Sequence, residues 1–378
     1  MRILFASWPA YGHLLPMVPL IRAAQRAGHQ IVVSSGPDLQ PMIDGLGVGS
    51  HRSGMTLAES YAAVPGGAVL GEMSREQEME FAARHLFGAR AVDRANDLLP
   101  FVRDWRPDLI VHDTLELGSA VAAEIHGIRQ LTHGYGPTVP GTEIFAGLIG
   151  RSIAELGLPD PIPAVLAAPY LEVCPPGLAT GAPVPWRDVR PIRPSAGEIP
   201  SGAALPPGFT DLPPAETAYL TLGTISNQSA GVFRAAIDGI AAAGLNVLVT
   251  TGPGFDPADL GTRPAGVLSV PFVPQALVLP HCRVVVSHAG AGTMFGALCH
   301  GLPQLCLPQG ADQPAQAVAI LRAGAGLTLW PGEVSADAVQ QAVERLQREP
   351  VFAGSAEGLR AEIDAMPDAD AVLAVLVS

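Results

Sequence analysis

Short apolar runs alternate with helix-patterned segments along this chain, and the alternation occurs twice. Residues 2–7 (RILFAS), 30–35 (QIVVSS), 108–112 (DLIVH) and 129–133 have strand length without polar alternation, as expected of strands buried on both faces. Helical patterns at 14–27, closed by Gly28, and at 117–126 lie between them. Strands joined through helices pair in parallel, so this half predicts a doubly wound α/β sheet with helices on both faces.

The pattern stops and restarts. A Pro- and Gly-rich stretch around 194–216 has no periodicity and reads as a linker. Beyond it, strands are expected at 217–222, 245–250, 283–287 and 304–307, with helices at 230–243, 292–300 and 312–323. The expected organisation is a first domain over 1–199, a linker over 200–216 and a second domain over 217–378, with the last helix packing back on the first domain. Both domains are α/β, Rossmann-like and doubly wound, facing one another. Residues 53–76, rich in Gly, Ala and Met, precede a helical pattern at 77–100 and read either as a loop over a cleft or as a surface connection.

The composition narrows the chemistry. All 22 cationic side chains are Arg and there is no Lys, which excludes Schiff-base catalysis, pyridoxal phosphate attachment and the phosphate-binding Lys of a P-loop. A net charge of −13 argues against nucleic acid as a partner, because such affinity comes from clustered cations. Cys174, Cys282, Cys299 and Cys306 form no CxxC pair and have no His at metal-ligand spacing, so no metal site is expected. No stretch approaches 18 apolar residues free of Pro, Gly or charge, and no cleavable leader is evident; the expected location is the cytoplasm, away from membranes.

The strongest local signal is VVVSHAGAGTMFGALCHGLPQLCLPQGADQ at 284–313. A strand ends in Ser287-His288, a Gly-rich turn follows, and Thr293 opens a helix. Glycines let a ligand approach the backbone, and the free amides of a first helical turn favour an anion, so a phosphate or diphosphate is the expected occupant. The spacing of Gly290, Gly292 and Gly296, with Asp312 some twenty residues on, also fits an NAD(P) fingerprint, which leaves a dehydrogenase open at this point.

His288-Ala289-Gly290-Ala291-Gly292-Thr293 does not stand alone. Phe272-Val273-Pro274-Gln275 precedes it, Gly301-Leu302-Pro303-Gln304 and Asp312-Gln313 follow, and Gly12-His13-Leu14-x-Pro16 and Thr221-Leu222-Gly223-Thr224 lie upstream. Together these resemble the GT-B glycosyltransferases of family 1, in particular the bacterial branch that decorates polyketide, macrolide and enediyne aglycones. The resemblance implies a nucleotide-sugar site in the second domain. There Phe272 lies against the base, Val273 and Gln275 meet base or ribose, and Thr224, His288, Gly290, Ala291, Gly292 and Thr293 hold the diphosphate. Asp312 and Gln313 meet sugar hydroxyls. In the first domain it implies that His13 is the general base, suited by the near-neutral titration of imidazole, and that Asp113 orients it.

The function so implied is inverting, metal-independent transfer of a deoxysugar, with a dTDP donor expected, to a hydroxyl of a hydrophobic natural product. The nucleotide sugar is a co-substrate and no further cofactor is implied; a homodimer is left open. Alternatives are an NAD(P)-dependent oxidoreductase, a catalytically silent glycosyltransferase-like partner and a nucleotide-sugar epimerase of the same fold.

Overall fold

A computed structural model describes residues 1–65, 74–223, 230–252, 255–261 and 264–377. The chain forms two compact units. One comprises Met1–Val173, Ala182–Ile192 and Pro367–Ser378; the other comprises Cys174–Gly181 and Arg193–Met366.

The first unit carries seven parallel strands: β1 (Arg2–Ala6), β2 (Gln30–Ser35), β3 (Gly49–Arg52), β4 (Leu109–Asp113), β5 (Arg129–His133), β6 (Pro169–Glu172) and β7 (Asp188–Pro191). Their order across the sheet is β3-β2-β1-β4-β5-β6-β7. The direction of strand addition reverses between β1 and β4, and ligands of open α/β sheets bind beyond the carboxyl ends of strands at such a switch. Here β1 and β4 are in register from Ile3 opposite Leu109 to Ala6 opposite His112. The residues that follow both strands therefore meet at one end of the sheet. Leu4 and Ile110 bury one face against Leu98 and Val102 of the helix Ala89–Trp105, which fixes that helix on the sheet.

The second unit has six parallel strands: β8 (Thr217–Thr221), β9 (Asn246–Thr250), β10 (Val267–Val270), β11 (Val284–Ser287), β12 (Gln304–Cys306) and β13 (Gly326–Thr328). Their order is β10-β9-β8-β11-β12-β13, with the same reversal between β8 and β11. Burial on both faces is visible residue by residue. Val284 and Val286 enter a core with Phe233 and Val339, while Val285 between them packs with Tyr219 and Val278 on the other side.

Several expectations change. The N-terminal part of the first unit ends at Ile192, ahead of the expected boundary at 199. Residues 200–216 are no free linker, because Phe209 is buried with Leu205 and Leu212 against the Tyr219 and Val285 face of the second sheet. A Pro-rich segment lacks strand hydrogen bonds of its own, yet its apolar side chains still cover a sheet. The terminal helix Ala369–Val377 belongs to the first unit, where Arg26 pairs with Asp370 at 2.6 Å. Within 53–76 the helix Leu57–Ala62 begins at a Thr56–Glu59 capping box, and residues 66–73 lie outside the described residues. The long pattern at 77–100 is two helices, Arg75–Ala82 and Ala89–Trp105, joined by a π-helical turn at Ala83–Gly88.

Candidate active site

The first helix starts at Tyr11, so His13 lies inside its first turn. The start therefore lies three residues ahead of the expected 14, and the chain accommodates Pro16 in the 3-10 turn Leu15–Met17 before continuing as Val18–Arg26. Before the helix, a tight turn from Trp8 O to Ala10 N at 2.7 Å and the Ala10 O to His13 N bond at 3.0 Å bring the His13 ring back over the strand ends.

Asp113 is the last residue of β4 and is fully buried. His13 Nδ1 lies 3.1 Å from its Oδ1. Trp8 N–H donates to Oδ2 at 2.5 Å, and Leu115 and Glu116 N–H donate to Oδ1 at 2.7 and 3.2 Å. Burial is the largest single influence on this carboxyl and opposes ionisation. The His13 charge, its hydrogen bond and the amides of Trp8 and Leu115 together outweigh burial, and Asp113 titrates below the ordinary carboxylate range. A carboxylate only accepts, so the proton of a neutral His13 ring sits on Nδ1 and the Nε2 lone pair is free. His13 keeps 14% of its side-chain surface exposed, with Tyr135 packed on it at a ring separation of 4.2 Å. Trp8, Val64, Leu86, Phe81 and Phe87 form an apolar cluster beside this turn.

Three other His of this unit serve packing. His112 donates from Nδ1 to Asp113 O, His133 from Nδ1 to Gly134 O, and His126 bonds Leu99 O. Burial pushes the His133 imidazole down to about 4.

In the second unit, β11 ends at Ser287, whose Oγ accepts from Ala289 N at 3.1 Å. That bond holds Ala289 in the left-handed region at φ 63°. Ala311, after β12, is left-handed too, at φ 54°. Each non-Gly residue held there costs about 1–2 kcal/mol, and such strain concentrates at functional loops. The helix Ala291–Cys299 then starts at Gly290 with no side-chain cap and no acid in its first turn, which leaves its first amides open to an anion.

The His288 ring lies across this turn. A Cβ at Gly223 would stand 2.5 Å from His288 Nε2, and one at Gly290 2.3 Å, so glycine is what makes room for the imidazole. Among the described residues no partner reaches the buried His288 Nδ1. Burial drives the ring down to about 4, against the pull of the Asp312 carboxylate, so it is neutral at ordinary pH.

The remaining expected residues are placed as follows. Thr293 Oγ1 accepts from Gln275 Nε2 at 2.9 Å, which joins those two and leaves the hydroxyl proton free to donate. A Cβ on Gly292 would meet no described atom within 4 Å, and Ala291 is buried in the first turn. Phe272 is 73% exposed, an unusual state for a large apolar ring, whereas Val273 is buried with Tyr219 and Leu279 and offers only its backbone. Asp312 is exposed and accepts from Gln316 Nε2 at 2.7 Å. Gln313 is buried, and its Oε1 accepts from the amides of Gln309 and Gly310, which leaves its NH₂ group for a ligand. Thr224 lies outside the described residues. The Trp8 amide and Tyr135 were missed by sequence reasoning: the first carries no side-chain signal, and the second follows β5 without a motif.

Among the described residues no group of three or more His, Cys, Asp or Glu could hold a metal ion, and no helix is long and apolar enough to cross a membrane.

Two doubly wound parallel-sheet units, one ending in a His–Asp pair and the other in an uncapped Gly turn, define a GT-B glycosyltransferase. The thymidine diphosphate complex of the glycosyltransferase SsfS6 from Streptomyces sp. SF2575 superposes with a TM-score of 0.78 at 26% identity, covering 100% of both chains. The L-demethylnoviosyl transferase of Streptomyces niveus is 31% identical over 98% of this chain and 100% of its own length. The 10-deoxymethynolide desosaminyltransferase of Streptomyces venezuelae is 28% identical over 96% of this chain and 93% of its own. Residues 22–155 and 236–378 match the N- and C-terminal domains of the erythromycin biosynthesis protein CIII-like family. The chain belongs to this family of bacterial natural-product glycosyltransferases, and it is a sugar-transferring enzyme rather than a dehydrogenase.

Proposed function

We propose that this enzyme transfers a deoxysugar from a dTDP-linked donor to a hydroxyl of a hydrophobic natural-product aglycone, with inversion and without a metal. The observation that carries the reading is the His13 ring, held through Nδ1 by a buried, ionised Asp113 with Nε2 left free. Nε2 takes the proton of the acceptor hydroxyl as its oxygen attacks the anomeric carbon. The bond from that carbon to the diphosphate oxygen breaks on the opposite side, which inverts the centre, and the diphosphate leaves as dTDP. Asp113 stabilises the imidazolium that forms, and the Ala291–Thr293 amides, the Thr293 hydroxyl and His288 meet the charge that grows on the leaving group.

The donor assignment is supported by the thymidine diphosphate bound to SsfS6 and by the exposed Phe272 as a platform for a base. The acceptor class is supported by relatives named for 10-deoxymethynolide and erythronolide and by the apolar cluster around Trp8. A melting panel with dTDP, UDP, GDP and NAD tests the reading, since a ligand of the folded state raises stability by about 2.7 kcal/mol at a hundred times its Kd. dTDP should give the largest rise and NAD none; a rise with NAD alone would contradict the assignment.

A further inference from the structure

Arg94, on the helix Ala89–Trp105, is 2% exposed and is the bulkiest of the fully buried side chains. Its Nε donates to Glu116 Oε1 at 2.8 Å and its Nη2 to Ser7 O at 2.6 Å. Space is cleared for it: a Cβ on Gly118 would stand 2.7 Å from Arg94 Cβ, and one on Gly54 2.8 Å from Arg94 Cγ. Glu116 is itself fully buried, and its other oxygen accepts from Ser119 N at 3.1 Å and caps the helix Leu117–His126.

A buried ion pair is a poor way to gain stability, because an apolar pair of the same volume serves equally well. What the guanidinium does that an apolar side chain cannot is join two loops. Ser7 follows β1 and immediately precedes Trp8, whose amide holds Asp113 Oδ2. Glu116 follows β4, and its own amide reaches Asp113 Oδ1. Both contacts of Arg94 therefore fix loops whose amides aim the Asp113 carboxylate.

We propose that Arg94 is a positioning residue for the His13–Asp113 pair, clamping the β1 and β4 loops through Ser7 O and Glu116 so that Asp113 keeps His13 in the Nδ1–H form. The inference rests on the reading of His13 as the base. Two variants test it in the full chain. Arg94→Lys keeps a buried cation for Glu116 but replaces a fork that spans two loops by a single ammonium. Arg94→Met with Glu116→Gln removes both charges and retains an acceptor for the Ser119 amide.

The primary readout is the His13 tautomer in ¹⁵N-histidine spectra at mildly alkaline pH, assigned by the signal lost in His13→Gln. The Nδ1–H form should dominate in the wild type, and the Nε2–H form should become substantial in both variants. Transfer from a dTDP-linked sugar to a hydroxyl-bearing polyketide acceptor should lose about tenfold or more in kcat, as a small misplacement of a reacting group does. The Kd for dTDP should stay within about twofold of wild type, since the nucleotide meets the other unit. If one variant fails to fold, the other decides. An unchanged tautomer, or kcat within about twofold of wild type, overturns the role of Arg94 and leaves His13 in place. Full transfer by His13→Gln overturns the base assignment, and the inference with it.

Discussion

The two units place their chemistry at the same point of the same topology, beyond the strands where the order reverses, yet they prepare it in opposite ways. In the first unit the charge is already present and internally satisfied: Asp113 accepts from three backbone amides and from His13. In the second unit the turn after β11 carries no charge of its own, and its donors are left open among the described residues. Among the described residues His288 Nδ1 lacks a partner, and the Ala291–Cys299 helix has no side-chain cap. Under the proposed roles, the base has its tautomer fixed before substrate arrives, whereas the site for the diphosphate leaving group keeps its donors unspent until the nucleotide binds.

The sharpest way to break this contrast is Asp113→Asn. An amide cannot hold the Nδ1–H form as a carboxylate does, so kcat should fall about 10³-fold while the dTDP Kd is unchanged. A parallel loss of nucleotide affinity, measured by calorimetry, would mean the two regions do not work separately.

His288→Ala should do the reverse, weakening dTDP about tenfold, near 1.4 kcal/mol, with the first unit untouched. Gly290→Ala should mimic it without removing any donor, because its Cβ would displace the ring at 2.3 Å. Wild-type affinity in Gly290→Ala would show that the placement of the ring does not matter.

Acid should strain both regions. His133 and His288 are held down to about 4, so the unfolded chain takes up their protons first, and stability is lost as pH falls from about 6.5 toward 4. Asp113 has a depressed pKa, and its contribution persists above the ordinary carboxylate range and disappears only as pH falls through its lowered value. Melting temperature should drop by several degrees between neutral pH and about 4.5, and less so in His133→Gln. A flat profile would contradict the burial of these rings.

The smallest expected effect is that of salt. No Arg lies between Arg283 and Arg322, and His288 is neutral, so the dTDP Kd should change less than about threefold between low and high ionic strength. A steep salt dependence would point to a cation that the turn itself does not contain.

The fold was legible where burial is two-sided. Strands such as β1, β4, β8 and β11 carry apolar residues at consecutive positions because both faces of the sheet are buried. Strands β3 and β7, at the edges of the first sheet, read GSHR and DVRP and are partly exposed; their pairing is made by the backbone, which leaves no side-chain pattern. β10 (VLSV) and β13 (GLT) form the edges of the second sheet and are too short to stand out by pattern. The site divides likewise. His13 and Asp113 are far apart in sequence but stand out at the ends of recognisable strands, and the Gly turn after β11 carries its own signal. The amide of Trp8, the ring of Tyr135 and the Arg94–Glu116 pair act through main-chain atoms or contacts distant in sequence, and nothing in their local sequence marks them.

The division of labour between the units is tested most directly by measuring dTDP affinity and single-turnover sugar transfer together in His13→Ala. Transfer should fall by about 10²–10⁴-fold with dTDP bound as tightly as in the wild type. Undiminished transfer, or transfer and nucleotide binding lost in step, would contradict the assignment of the base to the first unit and the donor to the second.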